Sequence, residues 1–206
     1  MSVTQVVSPP QLGPASAGVL MTPEEFDAVE EWDDEYRYEL IHGVLVVSPP
    51  PLEQEADPNE VLGYLLRRYR DDHPQGSALD KTLPERFIRT ETSRRRADRV
   101  IWAGLGRRPE PKLDVPTIVA EFVSEGKRNY KRDYEEKRRE YLEIGVLEYW
   151  VIDRFQRTMS VFRNQPGEPP MRVVAATETY QTPLLPGFEL PLAMLLAAAD
   201  EWEETN

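Results

Sequence analysis

The chain has 206 residues with a formal net charge of −12, no cysteine and only two histidines. These counts exclude a disulfide framework, a thiolate metal site and a histidine-rich zinc centre. Any bound metal would need oxygen ligands, which suit Mg²⁺ or Mn²⁺. No apolar run is long enough to span a membrane, and the lack of cysteine agrees with a cytoplasmic location.

The chain opens with an uncharged segment, Met1–Leu20, rich in Ser, Pro, Gly and Ala. This composition predicts a flexible N-terminal extension. A helix is predicted over Met21–Tyr38, because Thr22 can cap it and Glu25 can complete a capping box. Gly43 predicts a turn, and the valines that follow it predict a strand.

The remaining elements follow from hydrophobic periodicity and turn residues. Further helices are predicted at Asn59–Asp71, at Tyr130–Ile144 and after Pro191, and strands at Arg86–Arg89, Ala97–Trp102, Thr117–Ser124, Leu147–Asp153, Thr158–Arg163 and Met171–Ala176. This order predicts one α/β (α+β) domain with a mixed β-sheet over residues 21–200, followed by a C-terminal tail at residues 201–206.

Two of the predicted strands each carry one acidic residue, Asp98 and Glu121, among apolar neighbours. A single acid in such a strand most often faces water at a strand end or pairs with an arginine, because burying a charge is unfavourable. Two acids on neighbouring strands could instead bind one divalent cation, which would remove their repulsion. The residues alone leave both interpretations open.

The helix after Glu121 places Tyr130, Tyr134, Lys137 and Tyr141 on one stripe. A helix that packs on the sheet through this stripe would direct Lys137 inward. Lys137 would then either point its ammonium group at a metal site, pair with the carboxylate four residues earlier, or extend to solvent.

Charge is distributed unevenly along the chain. Between Arg86 and Arg139, sixteen Lys and Arg stand against nine Asp and Glu, so this window carries about +7 and the rest of the chain about −19. The acidic total argues against a nucleic-acid partner, whereas the basic window surrounds the candidate chemical residues.

Several stretches form a pattern in order and spacing. They are Tyr38–Gly43, Ala97–Val100, Ile118–Ser124, Arg132 and Asp133 with Lys137 and Tyr141, Gly145–Asp153, and Pro183–Phe188. This pattern resembles the Uma-type restriction endonuclease family, a bacterial branch of the PD-(D/E)XK nuclease superfamily. The resemblance covers about residues 21–197, and it implies a restriction-endonuclease-like mixed sheet flanked by helices.

The resemblance also implies roles for individual residues. Asp98 matches the first metal-binding acid, and Glu121 matches the acid of the (D/E)XK element. Glu39, which the prediction places on the first helix, matches a glutamate that completes the acidic site. The usual superfamily lysine position is Val123 here, but members of this family carry the lysine later, in the helix, where Lys137 stands.

The implied activity is that of a Mg²⁺- or Mn²⁺-dependent endonuclease that hydrolyses phosphodiester bonds in DNA. Asp98, Glu121, Glu39 and the backbone carbonyl of Phe122 would hold the metal, and Lys137 would orient water or stabilise developing charge. Four arginines are expected to contact the phosphate backbone, namely Arg94, Arg95, Arg96 and Arg99.

Other functions remain open at this point. The second hypothesis is a catalytically inactive nuclease-fold module that binds nucleic acid or protein. A third is an acidic assembly protein whose charge maintains solubility. A homodimer is expected because cutting two strands often uses two sites, although the sequence indicates no interface.

Overall fold

The first helix begins where the sequence predicts but ends much earlier. The Thr22 hydroxyl accepts a hydrogen bond from the N–H of Glu25 at 3.1 Å, and the Glu25 carboxylate accepts one from the N–H of Thr22 at 2.7 Å. The helix, α1, is Pro23–Asp27 rather than Met21–Tyr38. The acid-rich segment after α1 explains the difference, because clustered carboxylates repel one another and are unfavourable at a helix C-terminus.

The computed structural model describes residues 12–165, 167 and 169–203, with the backbone alone at residues 128 and 129. The chain divides into two compact units. The first comprises residues 1–50 and 89–95, and the second comprises residues 51–88 and 96–206.

The first unit contains a β-hairpin of β1, Arg37–Ile41, and β2, Val44–Ser48. The two residues between the strands, His42 and Gly43, both have positive φ angles, of 48° and 78°. Positive φ at both central positions is the conformation that matches the twist of a two-residue hairpin. The predicted turn at Gly43 and the strand after it are therefore confirmed.

Part of the predicted flexible extension packs on this hairpin. Leu12 is 4% exposed, and its carbonyl accepts a hydrogen bond from the Tyr38 hydroxyl at 3.0 Å. The N–H of Gly18 donates to the carbonyl of Leu45, and Leu20 forms a β-bridge with Val44. A flexible extension therefore does not describe residues 12–20, and residues 1–11 lie outside the described part of the chain.

The second unit contains most of the regular structure. Its helices are α2, Glu53–Asp72; α3, Lys127–Lys131; a π-helical segment, Arg132–Lys137; α4, Arg138–Glu143; and α5, Leu192–Asp200. Its strands are β3, Leu79–Arg89; β4, Arg94–Ala103, whose first two residues belong to the first unit; β5, Ile118–Phe122; β6, Glu148–Asp153; β7, Thr158–Arg163; β8, Met171–Ala175; β9, Thr179–Tyr180; and β10, Leu190–Pro191.

In this unit β3 pairs with β4, and the sheet continues in the order β4-β5-β6-β7-β8. Only β5 and β6 are parallel among the described pairings from β4 to β8. The helical stretch from residue 127 to residue 143 makes the crossover between these two parallel strands. Parallel neighbours need such a connection, because a short turn can join only antiparallel strands.

The sheet of the second unit is covered on both faces. On one face, α2 and α5 bury their apolar side chains against residues such as Ile118 and Trp150. On the other face, Tyr134 and Tyr141 pack against Val119 and its neighbours. Strand β5 is buried at every position, as expected of a central strand with helices on both sides. The predicted α+β fold with a mixed sheet flanked by helices is confirmed.

Helix α2 begins six residues before the predicted start at Asn59. Pro58 lies inside the helix, although proline removes a backbone donor and usually breaks a helix interior. The first turns of α2, before Asn59, nevertheless pack against the core, since Glu55, Pro58 and Asn59 are all buried. Within the described residues, no helix is both long and apolar enough to cross a membrane.

We predict that Leu12→Ala lowers the free energy of unfolding by about 2–5 kcal/mol, because it removes a buried side chain and leaves a cavity. Leu20→Ala is the matched control, since Leu20 is 78% exposed and its change should stay within about 0.5 kcal/mol. Urea denaturation of the two full-length variants measures the difference. Equal stability would show that this segment is a flexible extension after all.

Candidate active site

The two acids singled out in the sequence lie on adjacent strands. Strands β4 and β5 are antiparallel, with Arg99 opposite Ala120 and Val100 opposite Val119. Continuing this register by one residue brings Asp98 opposite Glu121, where Cβ atoms are typically about 4.5–5.5 Å apart. The Asp98 carboxylate accepts a hydrogen bond from the N–H of Phe122 at 2.8 Å, so it is held against the neighbouring strand.

Glu121 is a buried carboxyl group with two specific partners. It is 2% exposed, the Tyr141 hydroxyl donates to its Oε1 at 3.0 Å, and Lys137 Nζ lies 2.8 Å from its Oε2. Burial raises the pKa of Glu121 to about 8, with Lys137 opposing the shift and the charges of Asp98 and Asp133 adding to it. Negative charge is therefore crowded at this point of the sheet.

Lys137 points inward, as its helical stripe predicts. Its side chain is 3% exposed, and besides Glu121 its ammonium group lies 3.7 Å from Asp133 Oδ1 and 3.4 Å from the carbonyl oxygen of Arg96. Pairing with Asp133 was one of the alternatives from the sequence, and it is present, but the contact with Glu121 is shorter. Lys137 thus joins the acid pair on the sheet to the helix.

Lys137 belongs to a rare helical form. Residues Arg132–Lys137 form a π-helix between two α-helical turns. Such segments are uncommon and are found disproportionately at functional sites. Tyr134 and Tyr141 are buried on the predicted stripe, whereas Tyr130 is 43% exposed and stacks on Tyr134 with ring centroids 4.2 Å apart.

Glu55 is a further candidate residue near the acids, which the sequence did not indicate. It is 7% exposed, and its Oε1 has no hydrogen-bond partner among the described residues. Burial raises the pKa of Glu55, the Asp98 charge raises it further, and a hydrogen bond with Ser124 lowers it. The spacing of Glu55, Asn59 and Leu62 would have placed Glu55 on the buried face of a helix. Pro58 made a loop the more natural prediction for this stretch.

These carboxylates suit a hard divalent cation. Asp98 and Glu121 supply oxygen ligands from opposing positions, and Glu55 offers a buried oxygen with an unmet hydrogen-bonding requirement. Magnesium and manganese prefer such ligands, and a cation would offset the repulsion between neighbouring carboxylates. Within residues 12–165, 167 and 169–203, no three His, Asp or Glu side chains form a ready metal-binding group.

Comparison with known proteins identifies the family and the fold of the chain. The sequence model of the Uma2 family, described as "Putative restriction endonuclease", matches residues 23–193. The chain belongs to the Uma2 family. A crystal structure titled as a "putative nuclease belonging to DUF820" from Anabaena variabilis ATCC 29413 is similar, with a TM-score of 0.66 and 15% identity over 87% of this chain and 99% of that chain. At this identity the similarity shows a shared fold. No curated protein matches the chain.

Glu39, the further acid implied by the Uma2 resemblance, lies on β1 and is 8% exposed. The prediction that it stands on the first helix was wrong, because α1 ends at Asp27 and the following segment leads into the hairpin. Its role as a metal ligand stays a prediction.

The four arginines expected to contact phosphate mostly point into the protein. Arg94 pairs with Asp27 at 2.9 Å, and Arg96 pairs with Glu85 at 2.8 Å. Arg95 and Arg99 are 0% and 1% exposed, so burial leaves them no surface on which to contact a phosphate. Arg95 and Arg99 are on β4, which lies inside the sheet, and this position explains their burial. They were expected at the surface because charged side chains are usually exposed.

Arg99 extends beneath α2 through a gap at Gly63. Its guanidinium donates to the side chain of Asn59 at 2.6 Å, to the Asn59 carbonyl at 2.7 Å and to the Thr82 hydroxyl at 3.3 Å. Burial lowers the pKa of Arg99 to about 10, which still leaves it charged at neutral pH. A Cβ atom on Gly63 would lie 2.6–2.8 Å from the guanidinium, so only glycine fits there without a shift.

We predict that Gly63→Ala destabilises the protein by about 1–3 kcal/mol, because the added methyl group overpacks a buried contact. At an open helical position the same change would stabilise by up to about 1 kcal/mol through helix propensity. The sign of the change in unfolding free energy, measured by chemical denaturation, therefore tests the contact directly. A stabilised variant would show that Arg99 does not lie against Gly63.

Proposed function

We propose that this Uma2 family member is a metal-dependent endonuclease that hydrolyses phosphodiester bonds in DNA. The supporting observation is the half-buried Asp98 beside the buried Glu121 on adjacent strands, with the Lys137 ammonium group 2.8 Å from Glu121. The family description supports DNA as the substrate, since restriction endonucleases act on DNA.

The proposed metal ligands are Asp98, Glu121 and the backbone carbonyl of Phe122, for Mg²⁺ or Mn²⁺. When bound, the metal would supply a water of lowered pKa and offset charge on the scissile phosphate. Glu55 is the best-placed additional acid in the second unit, because its Oε1 is buried and lacks a hydrogen-bond partner among the described residues.

Lys137 would orient the attacking water or stabilise the charge that develops on the phosphate. Asp133 and the Arg96 carbonyl hold its ammonium group beside the acid pair, so little reorganisation is needed during the reaction. The Tyr141 hydroxyl fixes the Glu121 carboxyl from the opposite oxygen. These contacts would preorganise the charged groups around the buried Glu121 carboxyl group.

We predict that Mn²⁺ binding strengthens about tenfold per pH unit between pH 6 and 8 and levels off above pH 8. The pKa of Glu121 is raised to about 8, so below that pH the metal-free carboxyl holds a proton that a cation must displace. Calorimetry across this range measures the affinity, and changing the buffer measures the released proton. Affinity that does not vary with pH would contradict Glu121 as a ligand.

The matched variants are Asp98→Asn and Glu121→Gln. Each keeps an oxygen that can accept the hydrogen bond seen at Asp98 or Glu121, so folding should be retained while Mn²⁺ binding is abolished. A variant that binds Mn²⁺ as tightly as the parent removes that residue from the metal site.

We predict that Lys137→Met retains Mn²⁺ binding but slows cleavage of an oligonucleotide by on the order of a hundredfold or more, the scale of losing one preorganised donor. The change keeps the apolar stem of the side chain and removes its charge. Breaking a buried ion pair can destabilise a protein by about 3–5 kcal/mol. Circular dichroism is therefore used to check that the variant is folded before its cleavage rate is compared.

Arg139→Met is the control for Lys137→Met, since Arg139 is an exposed cation on the same helical stretch. Equal cleavage by the Lys137 variant and the parent would remove Lys137 from the mechanism. A parent that binds metal and DNA without cutting would instead support a nuclease-fold binding module.

A further inference from the structure

Three cations line a recess at the C-terminal end of α2. Its volume is about 130 Å³, and its lining residues are Arg67, Arg70, Asp71, Leu79, Lys81 and Thr82. Arg67 and Arg70 are exposed on the helix, Lys81 is half-buried on β3, and Thr82 forms part of the buried floor. Three of the six lining side chains are therefore positively charged, in a protein whose net charge is −12.

The charges of these three cations are not neutralised by ion pairs. Within the described part of the chain, no carboxylate forms an ion pair with Arg67, Arg70 or Lys81, although Asp71 also lines the recess. By contrast, the exposed Arg107 pairs with Asp114 at 2.6 Å. The guanidinium and ammonium groups of the recess thus keep their capacity to bind an external anion.

Arg99 adds a fourth positive charge beneath the recess. Its guanidinium donates to the Thr82 hydroxyl, a neutral group on the recess floor, and its other close acceptors belong to the neutral side chain and carbonyl of Asn59. Its nearest carboxylate is Glu60 at 3.7 Å, whose side chain is 74% exposed. Neutral acceptors satisfy the N–H groups of an arginine without cancelling its charge.

We propose that this recess binds a backbone phosphate of the nucleic acid, outside the active site. Arginine matches phosphate oxygens through paired N–H groups, and lysine adds a point charge. A contact of this kind positions the nucleic acid and carries no sequence information. The proposal rests on the proposed nuclease function, and it replaces the arginines of β4 as the phosphate contacts.

The recess and Glu55, the additional acid proposed for the metal site, lie on the same helix, α2. Glu55 lies near the start of α2 and Arg67 lies twelve residues later, which is about 18 Å along a helix. Eighteen ångströms corresponds to about five base pairs along DNA. A duplex of about 16 base pairs is long enough to reach both places, whereas a single phosphodiester is not.

The test compares Arg67→Gln/Arg70→Gln with the parent and with Arg108→Gln/Lys112→Gln. The control pair removes the same charge from exposed positions of the loop after β4. Fluorescence anisotropy with a labelled 16-base-pair duplex in EDTA measures binding without cleavage. We expect the recess variant to bind about tenfold more weakly or worse, and the slope of log K against log salt to be shallower by about one.

Hydrolysis of bis-p-nitrophenyl phosphate with Mn²⁺ is measured in parallel. Its rate should be the same in all three proteins, because this substrate is too short to reach the recess. If the parent does not hydrolyse this substrate, the result counts against the proposed nuclease function. The DNA-binding measurement by anisotropy still tests the recess in that case. Equal DNA affinity and salt slope in the recess variant, the parent and the control would overturn the proposal.

Two further outcomes would also overturn it. If Arg67 and Arg70 only stabilise the negative end of the α2 dipole, the double variant loses stability in urea while DNA affinity is unchanged. If the recess takes free phosphate, calorimetry with inorganic phosphate shows binding that the variant loses, again with DNA affinity unchanged. Lower DNA affinity and a shallower salt slope, with stability retained, support the backbone phosphate.

Discussion

A carboxyl group buried in the middle of a sheet, beside a second carboxylate, is the constraint on which the rest of the site depends. Glu121 lies on a strand that is buried at every position, and the register brings Asp98 opposite it. A charge in that position is unfavourable unless it is paired or protonated. Lys137 and Tyr141, on the helical stretch that follows β5, meet this requirement by contacting Glu121. The strand that carries the buried acid therefore leads directly into the helix that carries its lysine partner.

The same requirement explains why the sequence predicted the centre of the site better than its surroundings. Asp98, Glu121 and Lys137 each break an apolar pattern, and a break in a periodic pattern is visible in a sequence. Glu55 was missed because its helix contains Pro58, which suggests a loop until the packing of the turn is known. The π-helical segment was also missed, since an extra residue in a turn is set by packing and has no local signature.

Errors about the basic residues had a different origin. Charge predicts exposure on average, but β4 runs through the sheet, so most of its arginine side chains are buried. Much of the basic window therefore forms internal ion pairs, such as Arg96 with Glu85 and Arg132 with Asp133. Arg67 and Arg70 lie outside that window and form no ion pair among the described residues, and only the folded structure distinguishes them from the paired cations.

A buried lysine between two carboxylates also bears on how the site would accommodate the proposed metal. The Lys137 ammonium group lies 2.8 Å from Glu121, with Asp133 a second partner at 3.7 Å. Arg132 contacts Asp133 at 3.0 Å and keeps that carboxylate beside the lysine. If Glu121 gave its oxygens to a cation, Lys137 would still have Asp133 as an ionic partner. The ammonium group could then turn toward a phosphate without becoming an isolated buried charge, which is the condition for a buried lysine to act in catalysis.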